Sequence, residues 1–269
     1  MTDMITTMMA RKSVRTYDGT GLRDEDLLKL KEYADNIETP FGIKTEFRFL
    51  DAEKYGLKSP VLAGEKLYVA GKTEVVPYAD VSFGYAFEKL VIKAQSMGIG
   101  TVWIAGTMNR EAFEKAMELK ENEAMPAVSP LGYPGKRSIK ESLMRKGVKA
   151  DSRKNAVDLF FLDSYENPVL GYVSEDLRAC LETVRWAPSA VNKQPWRAVI
   201  QQGMVHFYEH HDNGYIHPNG IDLQKVDLGI ALCHFDLALT EKGIEHEIVM
   251  EDPRLEIPQD VEYIATFRY

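Results

Sequence analysis

Arg11-Lys12-Ser13-Val14-Arg15 sets three cations and a hydroxyl within five residues. Such donors suit an anion such as phosphate, and each arginine can bind in a forked geometry. A second cationic pair, Lys136-Arg137, follows Leu131-Gly-Tyr-Pro134. The stretch Pro188-Ser-Ala-Val-Asn-Lys-Gln-Pro-Trp196 is of another kind: it is bounded by prolines and offers Ser189, Asn192 and Gln194 as neutral hydrogen-bonding groups. Each segment alone has an ordinary reading, as a solvated helix end, an exposed turn charge or an aromatic-anchored loop. Their separation along the chain, taken together, implies one ligand held between two halves.

The elements that must position these residues follow from periodicity. A short helix is expected over 3–10 and another from Asp24 to about Ala34, with Asp24 as N-cap. Strand-like runs occur at Thr45–Leu50 and Lys66–Ala70. Phe83, Phe87, Leu90, Val91 and Ala94 recur at helical spacing over 80–97, and Gly98 supplies a stop. Thr101-Val-Trp-Ile-Ala reads as a buried strand, 109–119 as a helix and 127–132 as a strand. The polar, basic stretch 138–156 reads as a crossing between halves. A helix capped near Ser174, a hairpin of Arg197–Gln201 and Val205–Tyr208 around Gln202-Gly203, and a long helix from Leu223 to Gly243 complete the pattern. Strands alternate with helices and hairpins also occur, so the expected class is α+β, mixed sheets flanked by helices.

The halves resemble each other. At a shift of 145 residues, Val81, Gly84, Ala86, Gly98 and Ile99 fall on Val226, Gly229, Ala231, Gly243 and Ile244. At a shift of 150, Glu25, Asp26, Leu27 and Glu32 fall on Glu175, Asp176, Leu177 and Glu182. The expected organisation is two related, interlocked halves, 1–155 and 156–269, possessing an internal duplication.

The 269 residues can bury a substantial core. With 33 Lys plus Arg against 41 Asp plus Glu, the net charge of -8 disfavours nucleic acid and anionic membranes as partners. No segment approaches the roughly 18 apolar residues of a membrane span, and the acid at Asp3 without an apolar run argues against a secretory signal. The expected location is cytoplasmic. Cys180 and Cys233 lack metal-motif spacing and sit in apolar helical patterns. His206, His210, His211 and His217 form no compact ligand motif, so no metal is expected. Gly98-Ile-Gly does not continue as Gly-x-Gly-x-x-Gly, since position 103 is Trp. Ser189 lies in no nucleophile elbow, which disfavours hydrolysis.

The four motifs Arg11-Lys-Ser-Val-Arg15, Gly98-Ile-Gly-Thr-Val-Trp-Ile-Ala-Gly106, Leu131-Gly-Tyr-Pro134 with Lys136-Arg137, and Pro188 to Trp196 together resemble the FMN-dependent nitroreductase family. More narrowly, the chain resembles the fused type in which two family-like halves form an intramolecular pseudo-dimer. The resemblance implies that Arg11 and Ser13 contact the FMN phosphate and ribityl chain, Lys12 the ribityl side and Arg15 the pyrimidine edge. Lys136 and Arg137 would approach the phosphate, Ala105 and Gly106 would bring backbone near flavin N5, and Pro188, Ser189 and Asn192 would form the opposite wall. Arg15, as a fixed charge near N1 and O2, and Gly106 are the expected catalytic positions.

At the repeat-related positions, Phe161-Leu-Asp-Ser-Tyr165 replaces the basic motif, and Glu38 to Glu46 replaces the Pro188 to Trp196 stretch. One FMN per chain is therefore expected. The implied activity takes reducing equivalents from NADH or NADPH to a small electron-poor acceptor such as a nitroaromatic or quinone. The expected assembly is a monomeric pseudo-dimer. The alternatives are a degenerate flavin-binding or regulatory protein without rapid turnover, and a cofactor-free structural pseudo-dimer.

Overall fold

The computed structural model describes residues 3–169, 171, 173–217 and 220–269; Met1 and Thr2 of the N-terminal stretch lie outside them. In chain order the elements begin with α1 (Met4–Ala10), α2 (Asp24–Asp35), β1 (Glu46–Asp51), β2 (Leu67–Glu74), α3 (Ala79–Ser96), α4 (Arg110–Ala116), β3 (Glu123–Ala124), β4 (Val128–Leu131) and α5 (Ile139–Gly147). They continue with β5 (Phe160–Leu162), α6 (Glu175–Trp186), β6 (Trp196–Gln201), β7 (Met204–His210), α7 (Leu223–Glu241), β8 (Glu247–Val249) and β9 (Val261–Arg268). The class is α+β, with one antiparallel and one mixed sheet, flanked by helices. The chain divides into two compact units, Ala10–Ala150 and Asp151–Tyr269 with Met1–Met9.

In the unit of Ala10–Ala150, β2 is central. It pairs antiparallel with β1 on one side and with β4 and β3 on the other. Its outer portion carries Lys72, only 3% exposed, whose Nζ meets Glu123 at 2.9 Å. Helix α3 is apolar nearly all round and correspondingly buried, including Phe83, Phe87, Leu90, Val91 and Ala94. It ends before Gly98, whose φ of +75° is the left-handed conformation that closes a helix without a Cβ penalty. Tyr68 and Phe113 meet edge to face in a core shared with Val102, Ile104 and Val128.

In the other unit the strand order is β5-β6-β7-β9-β8, with β5 parallel to β6 and the remaining neighbours antiparallel. The expected hairpin is present, closed by Gln202-Gly203 between Gln201 and Met204. Ser174 caps α6 by accepting from Leu177 N at 3.2 Å. Cys180 and Cys233 are free and buried, and burial pushes the Cys180 thiol up to about 11.

Two expectations need correction, and a third gains a helix. Thr101 to Ala105 is buried but forms no strand. Thr101 bridges Ser13, Gly100 bridges Gly132 and Ile104 bridges Val128, so the backbone partners are isolated bridges to two segments rather than one ladder. The stretch 138–156 holds a helix, α5, capped by Ser138 on Glu141 N. Asp24 lies in the first turn of α2, and Arg23 occupies the cap position.

The order helix, strand, strand, helix occurs twice, as α2-β1-β2-α3 and as α6-β6-β7-α7. No described helix is long and apolar enough to cross a membrane.

Candidate functional site

The basic segment is threaded between loops of its own unit. Val14 N donates to Thr101 O at 2.9 Å, Ala63 N to Arg15 O at 3.0 Å, Tyr17 N to Ala63 O at 2.8 Å and Gly135 N to Thr16 O at 2.9 Å. The Tyr17 hydroxyl closes back on Val14 O at 2.7 Å. A Cβ at Gly100 would stand 2.9 Å from Val14 Cβ, so this approach of two backbones needs glycine. The Arg11 and Arg15 side chains thus project from a fixed main chain.

Arg11 is 9% exposed, and its Nε and Nη1 are buried without a hydrogen-bond partner; Nε and Nη1 of Arg15 are in the same condition. Buried guanidinium donors without acceptors are costly, and a bound anion would supply those acceptors. Burial pulls both arginines below their ordinary range. Glu88 opposes this at Arg11, Glu141 opposes it at Arg15, and Arg145 worsens it at both. Three guanidiniums thus face two carboxylates. Each carboxylate is anchored: Trp103 Nε1 donates to Glu88 Oε2 at 2.8 Å, and Thr16 Oγ1 to Glu141 Oε2 at 2.9 Å. The donor set fits the phosphate of FMN, which would complete its charge balance.

The remaining expected residues of this unit are more open. Lys12, Lys136 and Arg137 are exposed, although Arg137 Nε lies 3.8 Å from Glu141 Oε1. Ser13 is half-buried beside Thr101. Ala105 and Gly106 lie in the loop before α4, where Arg110 Nη2 fixes Ala105 O at 2.9 Å and Gly106 is exposed. The structure therefore groups Arg11, Arg15 and Arg145, with Arg137 attached through Glu141, and leaves Lys12 and Lys136 at the surface.

In the other unit, Pro188, Ser189 and Asn192 are half-buried within one turn of irregular chain. Val191, Asn192 and Gln194 have φ of +43°, +61° and +52°, sparsely populated conformations for residues with a Cβ. Local bonds enforce them. Ala190 N donates to both Asp227 oxygens at 3.1 and 3.0 Å, Gln194 N to Ser189 Oγ at 2.9 Å, and Asn192 Nδ2 to Ser152 O at 3.1 Å. Ser189 keeps its own O–H to donate. Trp196, the aromatic anchor of this loop, is wholly enclosed in β6.

The family model described as "Putative TM nitroreductase" matches residues 3–239. The chain belongs to this nitroreductase family. A "putative nitroreductase" of known structure from Thermotoga maritima MSB8 is similar at 19% identity, covering 99% of this chain and 93% of its own, with a TM-score of 0.65. That likeness establishes the fold. A "putative NADH dehydrogenase/NAD(P)H nitroreductase" from Bacteroides thetaiotaomicron VPI-5482 aligns at 22% identity over 50% of this chain and 88% of its own, with a TM-score of 0.43. An FMN-bound nitroreductase from Bacteroides fragilis NCTC 9343 aligns at 19% identity over 52% and 92%, with a TM-score of 0.42. Overlaps this loose have no bearing on the site. No curated protein matches.

For a nitroreductase-family oxidoreductase, the notable additions to the sequence-derived set are Arg145, Glu88, Glu141 and Asp227. Glu88 had a readable signal, since a lone carboxylate inside an apolar helical run demands a partner when buried. Arg145 and Glu141 had none: α5 buries these two charged residues while Ile139 and Leu143 are 83% and 64% exposed, an inversion of the usual amphipathic pattern.

Proposed function

We propose that the protein is an FMN-dependent oxidoreductase that draws reducing equivalents from NADH or NADPH and passes them to a small electron-poor acceptor such as a nitroaromatic or quinone. The observation that carries this reading is the pair Arg11, buried, and Arg15, half-buried, whose enclosed Nε and Nη1 donors lack acceptors on a rigidly pinned segment. Arg11, Ser13, Lys136 and Arg137 are assigned to the phosphate, Lys12 to the ribityl side, and Arg15 to the ring as a fixed positive charge. Ala105 and Gly106, and Pro188, Ser189 and Asn192, are assigned on the motif resemblance. FMN, when bound, supplies the hydride and electron chemistry, so no side-chain nucleophile is required.

The recurring helix-strand-strand-helix order supports an internal duplication of halves 1–155 and 156–269. The expected stoichiometry is one FMN per chain. Purified protein is saturated with FMN, freed of unbound flavin, and its released flavin is quantified before and after mixing with NADH or NADPH. About one flavin per chain with rapid bleaching supports the enzyme. One flavin without bleaching supports a passive binder, two overturn the single-site reading, and none in folded protein overturns the flavin assignment.

A further inference from the structure

Glu209 lies near the end of β7 and His211 just past it, and the contact of 3.1 Å between His211 Nδ1 and Glu209 Oε1 sets both side chains on one side. The chain then returns to the start of α7. Ile216 bridges Asp222, Leu223 N donates to Tyr215 O at 3.1 Å, and Asp212 N donates to Gln224 Oε1 at 2.7 Å. This closure brings Asp222, the N-cap of α7, beside the strand pair. One potential ligand atom from each of Glu209, His211 and Asp222 lies within 4.8 Å of the others.

Glu209 is fully enclosed, and its Oε2 has no hydrogen-bond partner. Its Oε1 meets His211 Nδ1 at 3.1 Å. Asp222 is 6% exposed, and its Oδ1 accepts from Gln224 N at 2.9 Å. Asp227 adds a third nearby carboxylate, but both its oxygens are engaged by Ala190 N. The neighbouring cation, Lys225, is paired with Glu262 at 2.9 Å. A buried carboxylate oxygen without a donor, among further carboxylates, requires a cation or a proton.

We propose that Glu209, His211 and Asp222 form a binding site for a divalent first-row transition metal of the zinc or manganese class. One imidazole nitrogen and two carboxylate oxygens suit such ions, and three protein ligands leave positions for water. Ligand atoms about 2.0–2.2 Å from one ion stand no more than about 4.4 Å apart. His211, whose side chain is 37% exposed, is the ligand of the three best able to adjust to that limit. The histidine run alone did not disclose this arrangement because the carboxylates come from a strand residue and a helix cap.

The test titrates chelator-treated, flavin-free protein with Co2+, followed by its visible d–d absorption, and with Zn2+ in competition with a chelating dye. One ion per chain is expected, with affinity reduced at least about tenfold in Glu209→Gln and His211→Ala. Asp222→Asn should do likewise, its Oδ1 still capping α7. Circular dichroism checks the fold, and His211→Ala, at a partly exposed position, remains decisive if a buried variant fails to fold. Absence of stoichiometric binding by folded protein would assign the site to a protonated Glu209 and overturn the proposal. Equal affinity in the parent and His211→Ala would place the ion on other surface histidines and overturn it equally.

Discussion

Replacing Arg15 by Met separates a ligand-binding cation from a structural one because the two roles predict opposite signs. The methionine keeps much of the apolar stem and removes the Nε and Nη1 donors that lack acceptors in the folded chain. Leaving a buried polar group unsatisfied costs about 1–3 kcal/mol. Loss of attraction to Glu141 offsets part of the relief, while loss of repulsion from Arg145 adds to it. Flavin-free Arg15→Met should therefore be at least as stable as the parent, by up to about 1–3 kcal/mol. FMN binding should move the other way. Hydrogen bonds to a charged group contribute about 1.5–3 kcal/mol, which corresponds to roughly 10- to 150-fold in Kd. Urea unfolding of the flavin-free proteins reads the first quantity, and quenching of FMN fluorescence on titration reads the second. A variant destabilised by more than about 1 kcal/mol with FMN affinity within twofold of the parent would refute the reasoning and make Arg15 a structural counter-charge to Glu141.

Trp103→Phe removes the donor that meets Glu88 Oε2 at 2.8 Å while keeping a ring against Phe87, so a loss of about 1.5–3 kcal/mol is expected in the free energy of urea unfolding; a change under about 0.5 kcal/mol would show that the indole contributes packing only. Asp227 is held well above its ordinary value of 3.8 by burial, with Asp222 and Glu209 adding to the effect. The folded state thus retains this proton where the unfolded chain has lost it, so its contribution is full below about pH 4 and declines as pH rises through the folded value. Asp227→Asn preserves a carbonyl acceptor for Ala190 N and should show a smaller loss of unfolding free energy between pH 4.5 and pH 8 than the parent. Identical slopes would exclude Asp227 as the titrating group.

Periodic segments were legible in the sequence wherever burial follows one helical face or an apolar run ends in a glycine. Thus α3 and α7 lie close to their expected spans, and Gly98 stops α3 as anticipated. An apolar run reports burial but not the identity of the backbone partner, which is why Thr101 to Ala105 read as a strand. The cationic cluster of Arg11 to Arg15 was readable. Its balance was not, because Glu88 comes from the middle of α3 and Arg145 from a helix that buries Glu141 and Arg145 while exposing Ile139 and Leu143. Residue types in the Pro188 to Trp196 loop were visible, whereas the left-handed residues and the Asp227 anchor depend on a helix over thirty positions away.

The proposed duplication also accounts for the single flavin expected per chain. In the unit of Asp151–Tyr269, the residues that the proposed repeat sets against Arg11 to Arg15 are Phe161 to Tyr165. Phe161 and Tyr165 stack with ring centroids 4.5 Å apart and pack with Val199, Tyr208 and Val261. Aromatic packing thus occupies the volume that anion-binding side chains would need. Arg197, buried beside Tyr165, directs its Nη1 to the carbonyls of Gln194 and Trp196 rather than to a ligand. Restoring the basic motif would open the apolar cluster and bury cations in it, at a cost that a single phosphate contact worth about 1.5–3 kcal/mol cannot offset. Divergence of this kind is open to fused copies and closed to a symmetric dimer, where one substitution alters both sites at once.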